Sequence, residues 1–335
     1  MTLANPIRKV KRTIRIFSKT TLLHKVLYFL AFIVSISMIT NYGRKQVEGF
    51  EENNNGSNGS NGSNGRKGQF DMREDLTKIY DDFYVNIYDD MVFSKNKNDY
   101  EIGKIIELTK PKPKSFFLDI GSGTGHHVSS LQAHGYKAEG IDISPSMVNK
   151  SKQTYPDLSF KLADALNASL YSAETFNQIT CFYFTIYYIQ NKQKLFDNCM
   201  KWLIPGGYLS IHLVNRDKFD PIIPAGNPFS IVSPQKYADK RITTTTVKFD
   251  GFEYKSKFDI KETILSKEDP NAFMIETFKN IKDGSVRKHQ HNFYMLTQAE
   301  ILDMAKNAGF IIHSKIDMLP CQYESQYIYI LEKPT

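Results

Sequence analysis

The chain has 335 residues, of which 41% are hydrophobic and 24% charged, and this composition excludes disorder throughout, a collagen-like fibre and a multi-span membrane protein. Residues 1–50 carry nine basic residues and one acidic residue, which gives them a net charge of +8. The net charge of the whole chain is +7. The remaining 285 residues therefore sum to −1, which removes the main support for nucleic-acid binding.

The predicted elements begin with a basic tail, residues 1–21, and a transmembrane helix, residues 22–42. Seven Lys and Arg residues precede residues 26–40, which contain no charged side chain. A helix over residues 22–40 would be about 28 Å long, close to the ~30 Å hydrocarbon core of a bilayer. A cleaved signal peptide fits less well because no small-residue cleavage site follows, and a buried core helix because the segment is apolar all round. The charge bias predicts a single-pass protein with a cytoplasmic N-terminus.

A linker rich in Asn, Gly and Ser follows over residues 43–69 and is predicted to be disordered, because it can bury little apolar surface. Asn55, Asn58 and Asn61 each begin an N-G-S sequon. These sequons indicate either glycosylation on a lumenal or extracellular face or a polar repeat that contains N-G-S without being glycosylated.

Residues 70–335 have the pattern of one globular domain and begin with predicted helices over 71–93 and 99–108. Strand-like and helix-like segments then alternate up to Val214, which predicts a mostly parallel sheet with helices on both faces. Beyond Val214, antiparallel strands, one helix and two closing strands are predicted, in the order 241–249, 252–264, 272–281, 288–296, 297–308, 310–317 and 326–332.

A glycine-rich turn follows the first strand of this alternation, in the sequence Phe-Leu-Asp-Ile-Gly-Ser-Gly-Thr-Gly of residues 117–125. Glycine allows a sharp turn and lets a ligand approach the main chain closely. The spacing is not the dinucleotide fingerprint G-x-G-x-x-G, because the third residue after Gly123 is His126. The sequence also lacks the G-x-x-x-x-G-K-[ST] motif of P-loop nucleotidases.

Acidic residues at the ends of the next strands make the glycine turn a more specific indication of function. Asp142 ends the second strand, where its carboxylate can accept both hydroxyls of a ribose. Asp164 ends the third strand, and the Pro-Gly-Gly sequence at 205–207 leads into the fifth. Together these motifs resemble the class I S-adenosylmethionine-dependent methyltransferases. The resemblance implies an α/β fold with a Rossmann-like seven-stranded sheet, mostly parallel with its last strand reversed, and a β-rich insertion after strand five.

The resemblance implies S-adenosyl-L-methionine as the cofactor. One departure is Asn177, which stands where the family usually has an acidic residue at the start of the fourth strand. For Tyr88, which is expected to cover the cofactor, core packing is an equal alternative. The expected cofactor-binding residues are Asp119, Gly121, Ser122, Gly123 and Gly125 at the methionyl end, Asp142 at the ribose, Ile143, Met147, Asp164 and Ala165 at the adenine, and Tyr88 as cover.

The insertion, residues 215–296, is expected to form a lid over a small-molecule acceptor. It is loosely similar to the β-rich lid of small-molecule and amino-sugar N-methyltransferases. Methyl transfer is an in-line displacement, so the protein mainly positions the acceptor and excludes water. An alcohol needs a nearby base, whereas an amine needs only to lose its extra proton. Transfer to nitrogen and transfer to oxygen both stay open.

The candidate catalytic residues are Tyr183, His212 and His291, and each has a structural alternative. A tyrosine at a strand end is often a packing residue, and a histidine in a lid is often a surface residue. No set of acidic residues with metal-ligand spacing is evident, so no metal is expected. Nucleic-acid methylation is disfavoured because no [DNS]-P-P-[FYW] motif follows the fourth strand. A catalytically silent module used for tethering or protein interaction is the alternative function.

The side of the membrane on which the domain lies stays open. The charge bias places it opposite the cytoplasm, whereas S-adenosylmethionine is made in the cytosol. Either the cofactor is supplied on the far side, or the apolar segment lies on the surface or in the reversed orientation.

Overall fold

The computed structural model describes residues 70–222, 235, 238–249, 251–261 and 269–335. Within these ranges, no helix combines the length and apolar character that crossing a bilayer requires. The predicted basic tail, transmembrane helix, linker and sequons all fall in residues 1–69, outside the described part of the chain.

The first described segment differs from the single helix predicted over 71–93. It contains one strand and two helices, because two aspartates cap separate helix starts. The Asp75 side chain accepts a hydrogen bond from the Thr77 N–H, and the Asp81 side chain accepts one from the Tyr84 N–H. The next predicted helix begins four residues earlier than expected. The observed elements are β1 (Phe70–Arg73), α1 (Leu76–Ile79), α2 (Asp82–Val92) and α3 (Lys95–Thr109).

The main sheet has seven strands, which are β2 (Phe116–Ile120), β3 (Lys137–Asp142), β4 (Ser159–Leu162), β5 (Phe176–Cys181), β6 (Leu203–Val214), β11 (Ile311–Asp317) and β12 (Gln326–Glu332). Their order in the sheet is β11-β12-β6-β5-β2-β3-β4. Strands β2 to β6 pair in parallel, whereas β12 is antiparallel to both β6 and β11, so the last strand of the chain is reversed as predicted.

Helices cover both faces of this sheet. Neighbouring residues of β2 point to opposite faces, and Phe117 and Leu118 accordingly belong to different hydrophobic clusters. The predicted α/β fold is therefore confirmed. Asn177, the departure from the family pattern, accepts a hydrogen bond from the Phe116 N–H at 2.8 Å and so ties β5 to β2. The remaining helices are α4 (His126–Ala133), α5 (Pro145–Thr154), α6 (Thr185–Tyr188), α7 (Lys192–Trp202) and α8 (Gln298–Asn307).

A second sheet contains β1 and four strands from the predicted insertion, which are β7 (Thr244–Phe249), β8 (Phe252–Ile260), β9 (Ala272–Asn280) and β10 (Val286–Phe293). Its order is β1-β10-β9-β8-β7. The four insertion strands are antiparallel, and β1 pairs in parallel with β10 at the edge of the sheet. Helix α2 packs on this sheet, where Tyr84 and Met91 join Tyr254 and Phe278 in one buried cluster.

Candidate active site

The glycine turn between β2 and α4 has a left-handed backbone at Gly121, Gly123 and Gly125, with φ values of +70°, +53° and +92°. A Cβ added to Gly121 would lie 2.5 Å from the Thr185 side chain, and one added to Gly125 would lie 2.6 Å from the Phe160 ring. A Cβ on Gly123 would meet nothing within 4 Å. Gly121 and Gly125 are therefore required by packing, whereas Gly123 leaves open space beside the main chain.

A cavity of about 380 Å³ opens beside the turn, at the carboxyl ends of β2, β3 and β4. Most of the residues expected at the cofactor line it. Ser122 instead lines a smaller cavity on the α3 side of the turn, while Asp119 and Gly125 line neither. The expected residues that line the main cavity are Gly121, Gly123, Asp142, Ile143, Met147, Asp164, Ala165 and Tyr88.

The Asp142 carboxylate fixes the glycine turn as well as lining the cavity. Its Oδ2 accepts a hydrogen bond from the Gly123 N–H, and its Oδ1 accepts one from the Ser144 N–H, both at 2.9 Å. Burial raises the pKa of Asp142. Because an ionised carboxylate has about four lone-pair positions, two remain for the hydroxyls of a ligand.

Asp119 lies beneath the turn with only 2% of its surface exposed. Its Oδ1 accepts a hydrogen bond from the Thr180 hydroxyl at 2.7 Å, whereas its Oδ2 has no hydrogen-bond partner among the described residues. Burial raises the pKa of Asp119 to about 6. A buried carboxylate oxygen without a partner suits a cationic group on a ligand.

A second cavity, of about 160 Å³, meets the first at Tyr80, Tyr88, Thr185 and Tyr188, which line both. The structure brings all three predicted catalytic residues to this second cavity. Its other lining is largely aromatic and apolar. The three are Tyr183, His212 and His291.

Tyr183 packs against a buried ion pair. The Lys97 ammonium lies 3.5 Å from the centre of the Tyr183 ring and 2.5 Å from Glu101 Oε1, and His127 Nε2 lies 2.9 Å from Glu101 Oε2. Burial disfavours the Glu101 carboxylate, but the charge of Lys97 and the contact of His127 together outweigh burial and lower the pKa to about 2. This contact supports the packing interpretation of Tyr183.

His212 is fully buried on β6. Burial and the charge of Lys97 lower the pKa of His212 to about 3. The imidazole is therefore neutral near pH 7 and too weakly basic to take a proton efficiently there. His212 can orient a ligand, but it is a poor general base.

His291 lies at the centre of a buried network that sequence analysis did not assemble. Its Nε2 is 2.7 Å from Glu276 Oε2, and its Nδ1 is 2.6 Å from Tyr188 Oη. The Tyr80 and Tyr188 hydroxyls are 3.0 Å apart. In the sequence, Glu276 could have been recognised as a carboxylate in the middle of the alternating strand β9. No feature of the sequence distinguished Tyr80 at the end of α1.

Glu276, His289 and His291 also have ligating atoms within 4.8 Å of one another, as in a metal site. The contact of Arg287 argues against this use. The Arg287 Nε–H donates to His289 Nε2 at 2.6 Å, so Nε2 is the acceptor. The ring proton of a neutral His289 therefore lies on Nδ1, which is the atom nearest Glu276. A protonated Nδ1 cannot bind a metal. The expectation that no metal is used stays a prediction.

Comparisons with known proteins agree with this geometry. The family profile described as a methyltransferase domain matches residues 95–315, about two thirds of the chain. The chain therefore belongs to this methyltransferase-domain family, and its fold is that of the class I S-adenosylmethionine-dependent methyltransferases.

One similar curated protein is the ubiquinone biosynthesis O-methyltransferase of Coxiella burnetii, 28% identical over 104 residues. The alignment covers 30% of this chain and 44% of that protein, so the chain spans less than half the length of this relative.

Two solved structures resemble the fold at low sequence identity. An S-adenosylmethionine-dependent methyltransferase from Clostridium acetobutylicum is 17% identical with a TM-score of 0.55, covering 76% of this chain and 97% of that one. The amino pentose methyltransferase CalS10 from Micromonospora echinaspora, solved with S-adenosylmethionine bound, is 15% identical with a TM-score of 0.54, covering 78% and 99%.

The residues present fit S-adenosylmethionine, the cofactor of this family. The open space at Gly123 admits a ligand against the main chain, and Asp142 has acceptor positions left for two hydroxyls. The unpartnered oxygen of Asp119 suits an ammonium group. Such a cofactor supplies an electrophilic methyl group on a sulfonium.

Proposed function

We propose that this protein is an S-adenosylmethionine-dependent methyltransferase that transfers a methyl group by in-line displacement to a nitrogen or oxygen atom of a small-molecule acceptor. The observation that carries the proposal is the meeting of two cavities at Tyr80, Tyr88, Thr185 and Tyr188. A methyl donor in one cavity and an acceptor in the other would face each other across these side chains. The enzyme then contributes mainly by holding the two reactants in line.

In the larger cavity, Asp142 binds the ribose hydroxyls and Asp119 faces the methionyl ammonium from below. Ile143 and Met147 pack on one side of the adenine, with Asp164 and Ala165 at its polar edge. The Tyr88 ring covers the ligand where the cavities meet. The lining of the cavity supports these roles for all of the residues except Asp119. The role of Asp119, which lies beneath the turn, is supported by its buried oxygen without a partner.

In the smaller cavity, the insertion supplies much of the acceptor wall, which supports its assignment as a lid. Phe258, Met274 and Phe293 are apolar side chains of strands β8, β9 and β10 that line it. A dry aromatic wall excludes water and favours an acceptor with an apolar body. The small volume and the near-neutral domain favour a small molecule over a nucleic acid. The names of similar proteins, an O-methyltransferase and an amino pentose methyltransferase, support the same acceptor class.

Titration calorimetry with S-adenosylhomocysteine on the full chain in detergent tests this function. We expect one binding site per chain, since the product shares the adenosyl and amino-acid groups of the cofactor. A folded chain that binds no S-adenosylhomocysteine would establish the alternative, a silent module. Transfer of a labelled methyl group to a panel of amines, sugars and lipids would then identify the acceptor.

We further propose that residues 22–42 anchor the protein in a membrane as a single helix. The support is the uncharged run of residues 26–40 and the basic residues before it. The full chain should float with liposomes in a density gradient, whereas the chain that starts at residue 70 should stay in the soluble fraction. Equal flotation of the two would contradict the anchor.

A further inference from the structure

We propose that Glu276, His291 and Tyr188 form a proton relay that removes the proton of a hydroxyl acceptor, which makes the protein an O-methyltransferase. This inference rests on the proposed function and specifies its acceptor. Tyr188 would be the catalytic group, because it lies where the two cavities meet, and Glu276 and His291 would act through it as positioning residues.

The relay is continuous in the structure. Glu276 Oε2 is 2.7 Å from His291 Nε2, and His291 Nδ1 is 2.6 Å from Tyr188 Oη. The two polar residues behind the tyrosine are almost completely buried, with 1% and 2% of their surface exposed for Glu276 and His291. Water therefore does not compete for these contacts, and each stays short.

The ionisation of Glu276 sets the direction in which protons move. Burial raises its pKa, but His291 and the hydrogen bonds from the neighbouring histidines outweigh burial and hold the pKa well below its usual range. Its other oxygen, Oε1, accepts hydrogen bonds from the hydroxyls of Tyr84, at 3.1 Å, and Tyr254, at 2.7 Å. Glu276 is thus an anion that can only accept hydrogen bonds.

Because Glu276 only accepts, a neutral His291 has its ring proton on Nε2 and a lone pair on Nδ1. The Tyr188 hydroxyl then donates to Nδ1, which leaves the Tyr188 oxygen as an acceptor. The Tyr80 hydroxyl, 3.0 Å away, can donate to that oxygen when no acceptor is bound. A bound hydroxyl compound can replace Tyr80 as the donor.

The proposed step balances in atoms and charge. Tyr188 Oη takes the proton of the acceptor hydroxyl while the proton of Tyr188 passes to His291 Nδ1. The acceptor oxygen forms a bond to the methyl carbon, and the electron pair of the broken carbon–sulfur bond stays on sulfur. The positive charge that leaves the sulfur is then carried by the His291 imidazolium, which Glu276 stabilises. No oxidant, reductant or further reactant is required.

The presence of this base distinguishes oxygen from nitrogen acceptors. A fraction of any amine is already unprotonated in water near neutral pH, so an N-methyltransferase can select the free base from solution. An alcohol keeps its proton until it is attacked and needs a base within the site. A buried carboxylate–imidazole–phenol chain that ends at the meeting point of the cavities is therefore suited to a hydroxyl acceptor.

Nuclear magnetic resonance of the full chain in detergent, labelled with ¹⁵N-histidine, tests the relay without an acceptor. The His291 signals are assigned with the variant His291→Asn. The wild-type protein should show His291 as the Nε2–H tautomer. In Glu276→Gln the amide oxygen stays with the two donors Tyr84 and Tyr254, so the amide NH₂ faces His291 and the tautomer should switch to Nδ1–H.

Glu139→Gln is the matched control, because Glu139 is also largely buried and accepts hydrogen bonds from the hydroxyls of Tyr171 and Ser159. It should leave the His291 signals unchanged. A wild-type His291 that is the Nδ1–H tautomer would overturn the relay. So would one equivalent of tightly bound Zn²⁺ or Mn²⁺ whose removal by a chelator shifts the signals of His289 and His291.

A second arm uses labelled S-adenosylmethionine with matched probes, namely phenol and aniline, benzyl alcohol and benzylamine, and cyclohexanol and cyclohexylamine. We expect methylation of hydroxyl members, with kcat lowered about 100-fold or more in Tyr188→Phe and Glu276→Gln. The affinity for S-adenosylhomocysteine should not change in Glu276→Gln, because Glu276 lines neither cavity. Methylation of the amines alone would overturn the inference while leaving the proposed function intact, and the tautomer measurement decides if no probe reacts.

Discussion

At the scale of single residues, the three glycines of the turn differ in role, since two are required by packing and one leaves space for a ligand. Gly121 and Gly125 have side chains of Thr185 and Phe160 against them, whereas Gly123 borders only the cavity. A substitution at Gly123 therefore acts on the ligand and on the local backbone, but on no neighbouring side chain. Asp119 beneath the turn is likewise better suited to binding than to packing, because its burial is costly in the absence of a cationic partner.

We expect Gly123→Val to weaken the binding of S-adenosylhomocysteine by more than about 100-fold, because its side chain would occupy the space that the ligand needs. Gly284→Val is the matched control, since Gly284 also has a positive φ, +70°, and open space around it, but lies in the turn between β9 and β10. Both variants should lose similar stability from backbone strain. Calorimetry that shows equal affinities in the two variants would rule out a ligand at Gly123.

Asp119 gives a pH dependence whose sign follows from its pKa of about 6, raised by burial above the ordinary 3.8. The folded state binds this proton more tightly than the unfolded state, so stability should fall as pH rises from about 4 to 6. Binding of an ammonium group requires the ionised form. The affinity for S-adenosylhomocysteine should therefore fall about tenfold per pH unit below pH 6.

Asp119→Asn removes both effects. The variant should be more stable than wild type at pH 7, by up to about 3 kcal/mol for a shift of roughly two pKa units. It should also bind S-adenosylhomocysteine more weakly and without the loss below pH 6. Thermal unfolding and calorimetry at pH 5 and 7 check this pair of outcomes. A wild-type affinity that is constant over this range would remove Asp119 from the site.

At the scale of elements, Asp81 ties α2 to the second sheet. Its side chain caps α2 through the Tyr84 N–H and accepts two hydrogen bonds from Arg287 on β10, at 2.8 and 3.1 Å. It also pairs with Arg73 on β1. Because α2 carries Tyr84 and Tyr88, this junction positions aromatic side chains of both cavities.

We expect Asp81→Ala to lower the free energy of unfolding by about 1–3 kcal/mol, since a helix cap and a bidentate charged contact are both lost. Asp99→Ala is the matched control, because Asp99 pairs with Lys95 on the surface, with half of its side chain exposed. That variant should change stability by less than about 1 kcal/mol. Urea unfolding of the two variants measures the difference, and equal losses would show that the Asp81 junction stabilises nothing beyond a surface pair.

At the scale of the whole molecule, the second sheet depends on the N-terminal segment of the domain. Strand β1 pairs with β10 through the register Phe70 to Val286 and Arg73 to His289, so four residues before the first helix complete the insertion sheet. The insertion is therefore not separable from the rest of the domain. Its edge strand is supplied from a segment more than 200 residues away in the sequence.

A chain that starts at residue 74 should consequently be less stable than one that starts at residue 70. Loss of β1 removes its pairing with β10 and the contact of Arg73 with Asp81, and we expect a decrease of about 1–3 kcal/mol. For a domain of this size, that corresponds to a melting temperature lower by several degrees. Identical melting curves for the two chains would contradict a structural role of β1. Binding of S-adenosylhomocysteine should raise both melting temperatures.

The sequence alone determined the main sheet and the surroundings of the larger cavity. Asp142 and Asp164 follow successive parallel strands, and the carboxyl ends of such strands meet at one edge of a sheet, so their proximity to Gly123 follows from topology. Local hydrogen bonds were less predictable. The capping aspartates Asp75 and Asp81 divided a segment that apolar spacing alone had assigned to one helix.

Only the tertiary structure brought Tyr80, Tyr188, Glu276 and His291 together. Tyr80 directly follows α1, and the other three lie on α6, β9 and β10. No spacing rule connects positions separated by up to about 200 residues. The tertiary structure also distinguished among histidines, because burial beside Lys97 lowers the basicity of His212 while Glu276 fixes the orientation of His291. A sequence motif reflects interactions among residues that are close along the chain. The burial and electrostatic environment of a side chain depend on which distant segments pack against it.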